Sequence, residues 1–146
     1  MKPFDFENPI GDLQEIKEQM IALMKENKGV GLAANQVGLD ARILVMGKDE
    51  DIDMLINPVI EEESTVMETH WEGCLSFPGV YVPVERPNWV TVRYYDSDGN
   101  EQVYDLEGYD CKCFLHELDH LDGITFNKRV STLQWNRARK KKKKYL

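Results

Sequence analysis

His116-Glu117-Leu118-Asp119-His120 carries its chemistry only if the segment is helical. Residues four apart stack on one face of a helix, so His116 and His120 can bind one metal ion together. Glu117 then projects beside the ion, where a carboxylate can take a proton from water. The plainer alternative is a surface helix whose histidines are solvated or pair with nearby acids. Two ligands do not complete a site, so a third has to come from elsewhere in the chain.

The 146 residues are enough for one domain with a real core, expected over residues 1–136 and followed by a basic C-terminal tail at 137–146. No apolar run approaches membrane-spanning length, and Met1 to Phe6 has no apolar signal-peptide character, so no membrane partner is expected. Three cysteines without disulfide spacing fit a reducing cytosol. Seven of the 18 basic residues lie in 137–146, which leaves 11 basic against 26 acidic groups in residues 1–136, a net of −15. So acidic a body argues against general nucleic-acid binding, and no specific DNA contact is expected.

Asp12 reads as an N-cap, followed at helical spacing by Leu13, Ile16, Met20, Leu23 and Met24, with Gly29 just past the end. The segment Gly29-Val30-Gly31-Leu32-Ala33-Ala34-Asn35-Gln36 is too small and Gly-rich for a regular helix. Strands are expected at Arg42 to Met46 and Met54 to Ile60, the second interrupted at Asn57-Pro58. Trp89 to Tyr95 and Glu101 to Leu106 form an expected hairpin across Asp96-Ser97-Asp98-Gly99-Asn100. A helix from about Tyr109 to Leu121 carries the histidine pair, and Gly123 should end it. Early strands with a late helix predict an α+β fold, with antiparallel or mixed sheets packed around that central helix.

Cys74, in Trp71-Glu72-Gly73-Cys74-Leu75-Ser76-Phe77-Pro78-Gly79, is the favoured third ligand. A thiolate with two imidazoles leaves a fourth position open, as catalytic rather than structural sites do. Gly73 lets backbone approach the ion closely, and Pro78-Gly79 turns the chain away. Cys111 and Cys113 are rivals in the first turns of the histidine helix, although free Cys is more often a small buried hydrophobe.

Three segments together resemble the signature motifs of peptide deformylases, in the same order: Gly-Val-Gly-Leu-Ala-Ala-Asn-Gln at 29–36, Glu-Gly-Cys-Leu-Ser at 72–76 and His-Glu-Leu-Asp-His-Leu-Asp-Gly at 116–123. The resemblance runs from about residue 10 to residue 135. It implies a small α+β domain with a central metal-bearing helix, and hydrolytic removal of formyl from the formyl-methionine of nascent polypeptides. By this resemblance Cys74, His116 and His120 match the metal ligands, and Glu117 matches the general acid/base. The Gln36 amide and the Leu75 backbone N–H match the oxyanion-stabilising groups. Val30, Gly31, His70, Gly73, Tyr109 and Cys113 would border bound substrate; His70 and Tyr109 are more polar than expected there. One divalent ion per chain is implied, natively Fe²⁺, with Zn²⁺, Ni²⁺ or Co²⁺ able to replace it.

Some features depart from the pattern. The chain starts about one strand later than typical bacterial members and stops soon after Asn136, an outline similar to virus-encoded and organellar members. Tyr81 stands where several bacterial members have Arg, and Lys112 is expected at a solvated edge. A cytoplasmic location follows from the resemblance, and the basic tail suggests ribosome contact, against a merely solvating tail. Two other classes compete. An H-E-x-x-H protease usually needs a third ligand downstream, and no His follows His120; a structural-metal protein would not need Gln36, Cys74, Glu117 and both histidines intact. Cys74→Ala should abolish tight metal binding while Cys111→Ala and Cys113→Ala retain it, as read by metal analysis; the reverse result would move the ligand role to the later pair.

Overall fold

A computed structural model describes residues 2–7, 9–26, 29–74, 77–124, 129 and 131–140, with backbone alone at 74, 77 and 78. Its elements are α1 (Leu13–Glu26), β1 (Gly31–Ala33), a 3-10 turn (Ala34–Val37), β2 (Ile43–Lys48), β3 (Asp51–Glu63), β4 (Met67–Cys74), β5 (Phe77–Pro87), β6 (Trp89–Tyr95), β7 (Glu101–Glu107), α2 (Gly108–Leu121) and α3 (Thr132–Lys140). β1-β2-β3-β6-β7 form one sheet and β4-β5 a second, and every pairing is antiparallel.

Alternation along β2 dictates the layering. Leu44 and Met46 face one way and join Leu55, Val90 and Val92 in a core closed by Phe114, Leu115, Leu118 and Leu121 of α2. Ile43 and Val45 face the other way and meet Ile16, Met20 and Met24 of α1, one residue per turn along its inner face. The larger sheet therefore lies between two helices, with the histidine-bearing helix on one side. A third, smaller cluster sets Val80, Val82 and Val84 of β5 against Trp135 and Ala138 of α3.

Local chemistry sets the boundaries. Asp12 caps α1 through its carboxylate, which accepts from the Gln14 N–H at 2.8 Å, and the Gly29 N–H closes the other end on the Met24 carbonyl. The break expected at Asn57-Pro58 is a bulge: the register with β6 shifts after Ile56 and Asn57 has φ 51°. There the Asn57 amide bonds both the N–H and the carbonyl of Phe4, at 2.7 and 2.9 Å, tying the N-terminal segment to the sheet. In the β6–β7 turn the Asp96 carboxylate accepts from the N–H groups of Asp98 and Asn100.

The β4–β5 hairpin is a strand pair that sequence reasoning did not assign. Pro78, Pro83 and Pro87 disfavour a strand, yet β5 belongs to a sheet of two strands, where the N–H that proline lacks can fall on the open edge. Phe114 is fully buried at the middle of the α2–sheet contact. Phe114→Ala should cost about 3–5 kcal/mol of unfolding free energy, measured by urea titration.

Candidate active site

α2 brings the predicted triad together. His116, Glu117 and His120 each offer one ligand atom, and these atoms all lie within 4.8 Å of one another. The two imidazole rings sit 4.9 Å apart at 76°, as the i, i+4 spacing requires. Glu117 and His120 are buried, and His116 Nε2 lies 3.8 Å from Glu117 Oε1.

His116 Nδ1 is held by Glu72 Oε1 at 2.9 Å, from 44 residues earlier in the chain. With Nδ1–H donating to a carboxylate, Nε2 is the nitrogen left to bind an ion. Glu72 is itself gripped by Arg86, Nε to Oε2 at 2.6 Å and Nη2 to Oε1 at 2.9 Å. Arg86 also donates to Asp119 at 2.9 Å, and Arg129 makes a two-pronged contact to the same carboxylate. Burial pushes the Glu72 carboxyl up, but hydrogen bonds from His116 and Arg86, with their charges, outweigh it and hold the group down at about 2. Sequence reasoning missed this network. Its one visible signal was a set of charged residues in positions that otherwise read as buried: Glu72 before Gly73-Cys74, and Asp119 between Leu118 and His120.

The Gly-rich segment passes directly against α2. A Cβ at Gly31 would sit 2.9 Å from both Cys113 Sγ and Glu117 Cγ, so only glycine lets β1 approach the carboxylate this closely. Gln36 Oε1 accepts from the Ala33 N–H at 2.9 Å, which leaves the amide NH₂ as its donor. Asn35 donates through its amide to the His120 carbonyl and so ties the turn to the histidine helix. Gly73 pairs opposite Tyr81, whose ring would lie 2.6 Å from an added Cβ.

Cys111 donates to the Pro87 carbonyl and Cys113 to the Val30 carbonyl, at 3.4 and 3.5 Å. Burial pushes their thiols up to about 11 and about 12, keeping both protonated at neutral pH. The backbone of Cys74 ends β4 two residues beyond Glu72; its side chain, and Leu75 altogether, lie outside the described residues. Val30, Tyr109 and Cys113 line one cavity of about 540 Å³. His70 does not line it and lies on β4, 3.2 Å from the Glu68 carboxylate. Lys112, expected at a solvated edge, is half-buried: its ammonium reaches the Trp71 carbonyl at 3.3 Å and sits 5.3 Å from the Tyr109 ring centre.

Residues 2–136 match the family model described as polypeptide deformylase. The chain belongs to the peptide deformylase family. A peptide deformylase of Finegoldia magna is 48% identical over 123 residues, covering 83% of this chain and 76% of that protein. One from Maricaulis maris is 41% identical over 138 residues, covering 91% and 79%. Among solved structures, a Synechococcus elongatus peptide deformylase in complex with actinonin superposes with a TM-score of 0.86 at 40% identity, over 97% of this chain and 79% of that one. The Thermotoga maritima peptide deformylase gives 0.83 at 39%, over 89% and 87%. The α+β expectation therefore holds, with antiparallel pairing among the described residues, and the deformylase chain is a hydrolase of that family. No helix among the described residues is long and apolar enough to cross a membrane.

Arg86 has 5% of its side chain exposed, and among the described residues its hydrogen-bond partners are the carboxylates of Glu72 and Asp119. Arg86→Met strands Glu72 without its guanidinium and should cost about 3–5 kcal/mol in urea unfolding, whereas adding Glu72→Met should recover part of that loss.

Proposed function

We propose that this deformylase hydrolyses the N-formyl group of formyl-methionyl polypeptides, releasing formate. The observation that carries the reading is the His116–Glu117–His120 cluster on α2 with Glu72 fixing the tautomer of His116. Two imidazole nitrogens and a thiolate make a donor set suited to Fe²⁺, Zn²⁺, Ni²⁺ or Co²⁺, and His116, His120 and Cys74 are the residues that would hold the ion. The family implies Fe²⁺ as the native one. When bound, a divalent ion there acts as a Lewis acid toward water and the formyl carbonyl.

The rest belongs to the chain's own side chains. Glu117 takes the proton of the attacking water at its carboxylate and passes it to the departing amine nitrogen. The Gln36 amide and the Leu75 N–H donate to the oxygen as negative charge develops on it, each contributing about 2.7–4 kcal/mol by analogy with other oxyanion holes. Glu72 keeps the His116 ring in one orientation throughout. Val30, Tyr109 and Cys113 form the wall for the first side chain, while Gly31 and Gly73 leave backbone open to the peptide. The reaction takes place in the cytoplasm, on nascent chains. Arg137, Arg139 and Lys140 of α3, with the four lysines after them, supply salt-sensitive attraction to ribosomal RNA phosphate.

Formate release from a formyl-Met peptide, assayed beside an internally quenched protein substrate, tests the reading: formate without internal cleavage is expected, and internal cleavage alone would replace it with a protease. Glu117→Gln should keep near-stoichiometric metal and lose at least ~100-fold in rate. An apolar wall suits an unbranched flexible side chain, so kcat/KM for a formyl-Ala peptide should fall by roughly 10-fold or more. Equal rates would mean that only the formyl group and backbone are read.

A further inference from the structure

Two side-chain amides stand side by side in the 3-10 turn Ala34–Val37, and they meet different partners. The Gln36 amide folds back on its own turn, its oxygen accepting from the Ala33 N–H at 2.9 Å. The Asn35 amide reaches out of the turn, its Nδ2 donating to the main-chain carbonyl of His120, 85 residues further on. Successive side chains on so tight a helix diverge by about 120°, so the two amides serve different faces. The turn needs an anchor of this kind. Pairing of β1 with β2 ends at Ala33 and Leu44. Beyond it the Gly38 N–H closes on the Asn35 carbonyl at 3.3 Å and the Leu39 N–H on the Ala34 carbonyl at 3.0 Å. These bonds fix the shape of the turn, and Ala34 fixes it to the core on the α1 side. Asn35 ties it to α2.

The orientation of that amide is dictated by its partner. Turned over, Oδ1 would face the His120 carbonyl, acceptor against acceptor. Held as it is, Oδ1 is buried with no hydrogen-bond partner among the described residues. A buried amide oxygen without a donor lowers stability, and an apolar side chain would avoid that cost. Nor does the His120 carbonyl depend on Asn35, since it also accepts from the Gly123 N–H at 3.1 Å. Stability therefore gives no reason for an amide at this position. Geometry does.

We propose that Asn35 is a positioning residue for the hydrolysis, holding the Gln36 amide at a fixed distance from the imidazole of His120, a role that rests on the deformylase reading and on Gln36 as an oxyanion donor. The path between the two groups is short: one peptide unit of the turn, one hydrogen bond and the His120 residue itself. Without that bond the turn keeps its internal closure but shifts against α2. The Gln36 NH₂ then no longer points at the oxygen on which charge develops. A displacement of about 1 Å at a reacting group is enough to cost up to about 100-fold in rate. Asn35 touches neither substrate nor ion in this scheme and acts through its neighbour.

The test is a double-variant cycle in formate release from a formyl-Met peptide by the metal-loaded protein, with kcat and KM measured for Asn35→Ala, Gln36→Ala and the two combined. Asn35→Ala should lower kcat about tenfold and leave KM within about twofold. Its metal content should match that of the unaltered protein, and its urea midpoint should be equal or higher. On the Gln36→Ala background the same change should lower kcat by less than about twofold, because the group it positions is gone. Asn35→Leu, close to asparagine in shape, should repeat the pattern without opening a cavity. An unchanged kcat in both Asn35 variants, an equal fall on both backgrounds, or lost metal would each overturn the proposal while leaving Gln36 its role. Full activity in Gln36→Ala would overturn it together with that role, and no formate from the unaltered protein would overturn the deformylase reading beneath both.

Discussion

Arg86 lies buried between the carboxylates of two different elements, Glu72 of β4 and Asp119 of α2. A guanidinium removed from water is tolerable only where every direction of its fork meets an acceptor. That requirement fixes the spacing between the small hairpin and the histidine helix. The same constraint reaches the chemistry, since the Glu72 oxygen that meets Arg86 Nη2 also meets His116 Nδ1. Asp119 in turn accepts from Arg129, so the segment after α2 is drawn into the same set of charges. Replacing the whole set by apolar residues could stabilise the fold, yet it would leave His116 free to turn.

Much of this fold was written in local patterns. The Asp12 cap, the Met20 and Met24 spacing, the Asn57-Pro58 interruption and the Asp96-to-Asn100 turn each follow from neighbours in sequence, and each appears where those patterns place it. The α2 residues of the site were equally legible, because one helical turn brings His116 and His120 together whatever surrounds them. The β4–β5 hairpin was not legible. Its prolines contradict strand propensity, and only the small size of its sheet removes the contradiction. Nor could local patterns reveal that Glu72 serves His116, because the partners are 44 residues apart and their meeting depends on the buried arginine.

The surroundings of Glu117 are made partly of main chain. At Gly31 the strand backbone itself abuts the carboxylate stem and the Cys113 sulfur. A side-chain wall can be repacked by substitution, but a backbone wall moves only if the strand moves. β1 is also an edge strand, paired in the sheet with β2 among the described residues. The placement of Glu117 therefore depends on the pairing of Gly31 with Met46 and of Leu32 with Val45 as much as on helix α2.

The order of strands in the larger sheet has a consequence of its own. β3 pairs with β6, so β4 and β5 form a loop inserted between two neighbours of an otherwise continuous sheet. The larger sheet and its two helices hold most of the apolar core, whereas the insertion rests on three valines, a short helix and the arginine network. The molecule is thus graded in how it opens. The insertion can lift away as a cooperative unit while the larger sheet stays closed, and its amides would trade hydrogen for deuterium before those of β2 and β3. Release of Glu72 and loss of the fixed His116 ring would then precede unfolding of the helix that bears them, so the chemistry fails at a lower free energy than the fold.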